Sequence, residues 1–284
     1  MRKNAGLRRA GVLAAVAIAV LVGWWLGQRG TPVATIPVPP LATEPTAAAT
    51  AAPEEAQAKV ESTEPAIQHP MPEPTDEAPA LEPAGIAGAL GDWLGRRDAD
   101  AFLQTGDFAR RFVATVDNLG RSYAPASLWP VNPASGRFMV QAQDGQTVIA
   151  PENASRHVPL VALAEAVDVR QAVALYVRLY PLLQQAYEDI GFPKAHFNDR
   201  LIQVIDLLLA SPEPGGAIAV HLVEVKGPEP SLRPWVRYEF TDPALQALSA
   251  GQKIMVRVGA DNQRRLKARL AALRQALLAQ APPR

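Results

Sequence analysis

From Ala10 to Gln28 the chain carries no charged residue, and the heart of this run, Val12 to Leu26, consists of Val, Leu, Ile, Ala, Gly and Trp. At a helical rise of 1.5 Å per residue the run reaches about 28 Å, against a bilayer hydrocarbon core of roughly 30 Å. A soluble helix without a polar face would have to be wholly interior. A cleaved signal peptide needs a small-x-small site, and the nearest pairs, Gln28 with Gly30 or Pro32 with Ala34, fit poorly. The reading that follows is a retained, single-pass anchor occupying residues 1–30 and contacting the lipid bilayer. Arg2, Lys3, Arg8 and Arg9 precede it and only Arg29 follows before Lys59, so the positive-inside rule places the amino terminus in the cytoplasm and the bulk of the chain outside. Trp24 and Trp25 then fall at the membrane interface.

Residues 31–85 contain twelve prolines among Ala, Thr and Glu, with nine acids against the single base Lys59. Proline removes backbone donors, and too few large apolar residues are present to offset the entropy of ordering. This segment is expected to be a disordered Pro/Ala/Glu-rich tether between the anchor and one globular domain, residues 86–284.

The chain as a whole has 28 bases and 28 acids. Setting anchor and tether aside leaves 22 bases and 19 acids, with no clustered basic face of the kind that displaces counterions from phosphates, so nucleic acid is excluded as a partner. The absence of cysteine rules out disulfides, thiolate metal sites and a cysteine nucleophile.

The domain reads as α+β, predominantly helical with a small antiparallel sheet or hairpins. Helices are expected over 86–96 and 107–119, the latter with Phe108, Phe112, Val113 and Val116 on one face. Gln143-Asp144-Gly145-Gln146 predicts a tight hairpin between strands 138–142 and 147–150. A helix over 153–167 precedes one capped by Asp168, whose stripe Tyr176, Tyr180, Tyr187 faces the core and which Pro181 should kink or interrupt. Asn198 is placed as the amino-terminal cap of a strongly apolar helix ending near Ala210, the expected core helix. Strands are predicted at 218–225, 235–240 and 253–258, and Asp242 with Pro243 opens a short helix between the last two. A final helix capped by Asp261 turns Leu266, Leu270, Leu273 and Leu277 inward and leaves Arg264, Arg265, Lys267, Arg269 and Arg274 as a solvated face.

Several stretches together carry a resemblance: Arg110-Arg111-Phe112-Val113-Ala114-Thr115-Val116-Asp117-Asn118-Leu119, Tyr180-Pro181-Leu182-Leu183-Gln184-Gln185-Ala186-Tyr187, Phe197-Asn198-Asp199-Arg200-Leu201, and Tyr238-Glu239-Phe240-Thr241-Asp242-Pro243 leading into Ala250-Gly251-Gln252-Lys253. They resemble a bacterial family known only as domain of unknown function number three thousand and fourteen, over most of residues 95 to 275. The resemblance implies an amino-terminally anchored protein of the Gram-negative inner membrane with its domain in the periplasm. It implies no activity and no catalytic residue.

Searching for chemistry returns little. His69, His157, His196 and His221 do not pair at a helical metal spacing, and His196 with Asp199 supplies only two ligands. No Gly-x-Ser-x-Gly elbow or phosphate-cradling glycine loop occurs. No catalytic, cofactor-binding or metal residue is therefore assigned, and no cofactor is expected. Asp206, within the apolar helix, is expected to lie on a polar seam with Gln203 or to pair with an arginine from a neighbouring element. Two functions remain: a non-enzymatic envelope module binding an envelope protein or cell-wall polymer, and a periplasmic hydrolase acting on cell wall through carboxylates such as Asp199, Asp206 or Glu239. A binding surface is sought near Tyr180, Asn198, Asp199 and Arg200, where a proline-bearing helix should approach a helix amino terminus.

Overall fold

A computed structural model describes residues 66–224 and 234–280. The expected anchor, with Trp24 and Trp25, and the tether as far as residue 65 lie outside the described residues; among those described, no helix is long and apolar enough to cross a membrane.

The architecture is α+β and mainly helical. Helices α1 (Ile86–Leu94), α2 (Arg96–Phe102) and α3 (Phe108–Leu119) lead into hairpin β1–β2 (Val140–Gln143, Gln146–Ile149). Then follow α4 (Glu152–Ala166), α5 (Val169–Asp189) and α6 (Phe197–Leu209), and hairpin β3–β4 (Val220–Leu222, Tyr238–Phe240). Helices α7 (Pro243–Gln246), α8 (Ala250–Arg257) and α9 (Ala260–Leu278) complete the described chain. Two turn positions of the first hairpin, Asp144 at φ 50° and Gly145 at φ 75°, have the double left-handed geometry that matches strand twist. The hairpins are joined where Ile149 N–H donates to the Ile218 carbonyl at 3.0 Å.

The core forms where α3 packs on α5, α6 and α8 while α9 packs on α4, α5 and α6. In α6, Leu201, Val204, Ile205 and Leu208 are buried, and in α9 so are Leu266, Leu270, Leu273 and Leu277. This is the 3.6-residue spacing of an amphipathic helix. A smaller cluster of Val220, Phe240 and Val256 seats the second hairpin on α8.

Four expectations are corrected. Residues 253–258 lie in helix α8 rather than a strand: Ser249 Oγ accepts from Gln252 N–H while the Gln252 side chain accepts from Ser249 N–H, a capping box that starts the helix. Of the two outcomes expected at Pro181, interruption does not occur: helix α5 runs on through it, its packing on α3 and α9 outweighing local preference. The caps of α6 and α9 are His196 and Gly259, which puts Asn198 and Asp261 inside the first turns. The basic residues of α9 are also not a free surface. Arg265 pairs with Glu165, Lys267 with Glu213 and Arg274 with Asp206, and Arg269 donates to the carbonyls of Ala164 and Val167. These contacts tie α9 to α4, to α6 and to the loop that follows α6.

The proline-rich segment has structure where it is described. Residues 66–81, read from sequence as tether, lie along the helices: Leu81 N–H donates to the Arg178 carbonyl and Arg178 Nε to the Pro79 carbonyl, both at 2.9 Å, and Met71 and Leu81 pack on the core.

Candidate functional site

The face built by α3, α5 and the start of α6 brings together all four residues singled out from sequence. Phe197 is fully buried, edge-on to Phe112 at 5.9 Å and beside Tyr187 at 5.6 Å, and so fixes the direction in which α6 begins. Gln184 of α5 holds the preceding turn, accepting from Phe197 N–H and donating to the Ala195 carbonyl, each at 2.9 Å. Tyr180 donates to the same Gln184 oxygen at 3.3 Å.

The next three residues point to three different partners. Asn198, 1% exposed, accepts from the Tyr176 hydroxyl at 3.1 Å and donates through Nδ2 to the His69 carbonyl at 2.8 Å. The Asp199 carboxylate accepts from two successive backbone amides, Gln68 at 3.0 Å and His69 at 2.7 Å. Arg200 reaches across to α3, donating to the Asp117 carboxylate at 3.0 Å and its carbonyl at 2.7 Å, and locally to Gln203 at 2.6 Å. The other Asp117 oxygen accepts from Arg121 Nε at 2.9 Å and Nη2 at 2.6 Å. Asp117 is therefore a buried carboxylate enclosed by two guanidinium groups, which supply the partners that burial of a charge requires. Gly120 makes room for this: a Cβ there would stand 2.7 Å from Arg200 Nη2. Burial raises the hydroxyl pKa of Tyr176, Tyr180 and Tyr187; Asp199 adds to the shift at the first two and Asp117 at Tyr187.

On the other side of the Asp117–Arg200 pair an open groove of about 510 Å³ follows α3. Arg110, Ala114, Asp117 and Asn118 of α3 line it, with Asp107 before the helix, Arg121 after it, and Arg111, Ser127, Leu128, Ile190 and Phe192. Arg111 is held by the Ser127 carbonyl at 2.8 Å, whereas Arg110 extends from the helix without a hydrogen-bond or ion-pair partner among the described residues. Arg110, Arg111 and Arg121 line the groove with Asp107 and Asp117, and Asp117 is already enclosed, so the groove carries positive charge beside exposed Leu128.

A family model, Protein of unknown function (DUF3014), matches residues 108–274. The chain belongs to this family. No curated protein and no solved structure matches the chain. The DUF3014 region begins with α3 and so takes in the α3 residues of the groove, the Asp117–Arg200 pair and the Asn198–Asp199 pair, while residues 66–81 precede it. The stretch Ala250-Gly251-Gln252-Lys253 is explained by packing: a Cβ on Gly251 would lie 2.6 Å from Leu208 Cδ2 and 3.1 Å from the Leu119 carbonyl, where α8 crosses α3 and α6.

The carboxylates proposed for hydrolysis have separate engagements. Asp199 holds main chain, Asp206 pairs with Arg274 at the surface, and Glu239 lies opposite His221 in the second hairpin. Among the described residues no group of three or more His, Asp or Glu side chains is placed to hold a metal ion. Sequence reasoning found the cluster around Asp199 but missed the groove and the docked segment. Arg110, Ala114, Asp117 and Asn118 follow the helical spacing of α3, a signal present in the sequence, whereas the docking of 66–72 leaves no periodic trace.

Proposed function

We propose that this DUF3014 chain is a non-enzymatic binding module of the bacterial envelope, anchored in the inner membrane through its amino-terminal apolar segment and holding its domain in the periplasm. The domain binds a carboxylate-bearing segment of another envelope protein along the groove of α3. The observation that carries this reading is the groove's pairing of free positive charge at Arg110 with the apolar side chains of Leu128, Ile190 and Phe192. Such a combination steers an acidic partner electrostatically and then buries an apolar anchor. The hydrolase reading has less support, because Asp199 and Asp206 already engage structural partners and the pocket beside Asp199 is lined by no second carboxylate among the described residues.

The test is photocrosslinking in intact cells with the photoreactive residue at Arg110 or Leu128, and at exposed Asp261 on α9 as control. A discrete protein captured at the first two positions and not at Asp261 is the expected result. Capture of cell-wall polymer instead would reassign the ligand class. No capture at either groove position, or cleavage of cell wall by the purified protein, would overturn the reading.

A further inference from the structure

The α3 groove opens close to the point where the described chain begins. Ala66 lines a pocket with Tyr187, Arg200 and Gln203, and the same Arg200 donates to the carboxylate of Asp117, which lines the groove. A single side chain thus links the two. Just before Ala66 the sequence turns acidic: from Glu54 to Glu64 it carries Glu54, Glu55, Glu61 and Glu64 against Lys59 alone, with Val60 as the one large aliphatic side chain among them. The groove has the complementary make-up. Arg110 is exposed, Arg111 is held by the carbonyls of Ser127 and Trp129, and Arg121 shares the one carboxylate of Asp117 with Arg200. Leu128, Ile190 and Phe192 supply apolar surface beside them.

Reach agrees with charge. An extended chain covers at most about 3.6 Å per residue, so Glu64 lies within about 7 Å of Ala66, Glu61 within about 18 Å and Glu54 within about 43 Å. From Arg121 back to Arg110 the rise along α3 is about 16 Å. The stretch can therefore lie along the groove with Glu61 and Glu64 near Arg121 and with Glu54 and Glu55 near Arg110. Tethered this closely, it meets the groove at an effective concentration on the order of millimolar, which lets individually weak surface pairs act together.

We propose that residues 54–64, the acidic stretch of this chain's own tether, dock in the α3 groove in cis and compete there with the acidic partner. The proposal rests on the reading that the groove receives a carboxylate-bearing segment, and it names the nearest source of one.

Because the chain has no cysteine, a two-cysteine test is direct. The full chain in non-ionic detergent micelles carries Ser62→Cys with Leu128→Cys in the groove, or Ser62→Cys with Asp261→Cys on α9 as control, and is treated with a short bismaleimide at low salt. An intrachain crosslink to position 128, at least about threefold above that to position 261, is expected. It should fall to the control level when Glu54, Glu55, Glu61 and Glu64 are all replaced by Gln, or when salt is raised to about 0.5 M. Should the Gln variant not fold, the salt series decides. A yield at position 128 that equals the control, or that survives loss of the charges, overturns the proposal. A crosslinked dimer in place of the intrachain product assigns the stretch to the groove of a second copy and overturns docking in cis. The groove's partner is judged separately, by photocrosslinking from position 110 in intact cells. A partner captured equally by the unaltered chain and the Gln variant keeps the binding-module reading and overturns competition by the tether. No partner captured by either, with the charge-dependent intrachain crosslink present, overturns the partner and supports docking in cis.

Discussion

His157, on α4, is 4% exposed, and burial, reinforced by the neighbouring Arg156 charge, lowers its pKa from 6.5 to about 2. The folded protein therefore keeps this imidazole neutral at pH values where an unfolded chain protonates it. Because the unfolded state binds the extra proton, stability contributed by the neutral side chain is intact above 6.5, falls as the pH drops below it, and continues to fall until about pH 2. Between about pH 7.5 and pH 5 the loss amounts to roughly 2 kcal/mol, from about 1.4 kcal/mol per pH unit below the unfolded pKa. Urea unfolding of the detergent-solubilised full chain, followed by intrinsic fluorescence at the two pH values, measures it. Carboxylate titration is common to every variant, so the comparison is with His157→Leu, which should lose about 2 kcal/mol less over the same interval. Equal losses in the two proteins would show that the imidazole is protonated in the fold and would refute the argument.

Gly251→Ala forces a methyl group between Leu208 and the Leu119 carbonyl and should cost about 1 to 3 kcal/mol of unfolding free energy in chemical denaturation. Arg200→Met removes one of the two cations around buried Asp117 and is expected to destabilise by about 2 kcal/mol, with the Arg200→Met/Asp117→Leu double variant recovering part of that loss in the same assay. The half-exposed Arg274–Asp206 pair is the contrasting case: in a double-mutant cycle its coupling should be below about 1 kcal/mol and should shrink with added salt.

Much of the helical framework was legible in the sequence because α3, α5, α6 and α9 are amphipathic and their apolar spacing survives folding. The misread helix α8 shows where that signal fails. Ile254, Met255, Val256, Arg257 and Val258 are all buried, so no polar face marks the helical period, and alternation of branched residues imitates a strand. The capping box at Ser249 was the better signal. At the candidate site the residues were legible and their tasks were not. Asn198 looks like a helix cap until the fold brings Tyr176 and His69 to it, and the bases of α9 look solvated until Glu165, Asp206 and Glu213 arrive from as far as 100 residues away. Such long-range pairings have no local signature. Prolines at 70 and 72 argue correctly against regular structure around Met71, yet a bend at Gln68 and His69 is still held through its amides and a carbonyl.

The placement of α9 has a consequence for biogenesis. This helix packs against α4, α5 and α6 and supplies the cationic partners of Glu165, Asp206 and Glu213, yet it is synthesised after all of them. Until α9 has been made, the parts of α4, α5 and α6 that it packs against are uncovered and Glu165, Asp206 and Glu213 lack their cationic partners. Deleting residues 260–278 would therefore remove a packing partner from three helices and the counter-charge of three acids at once.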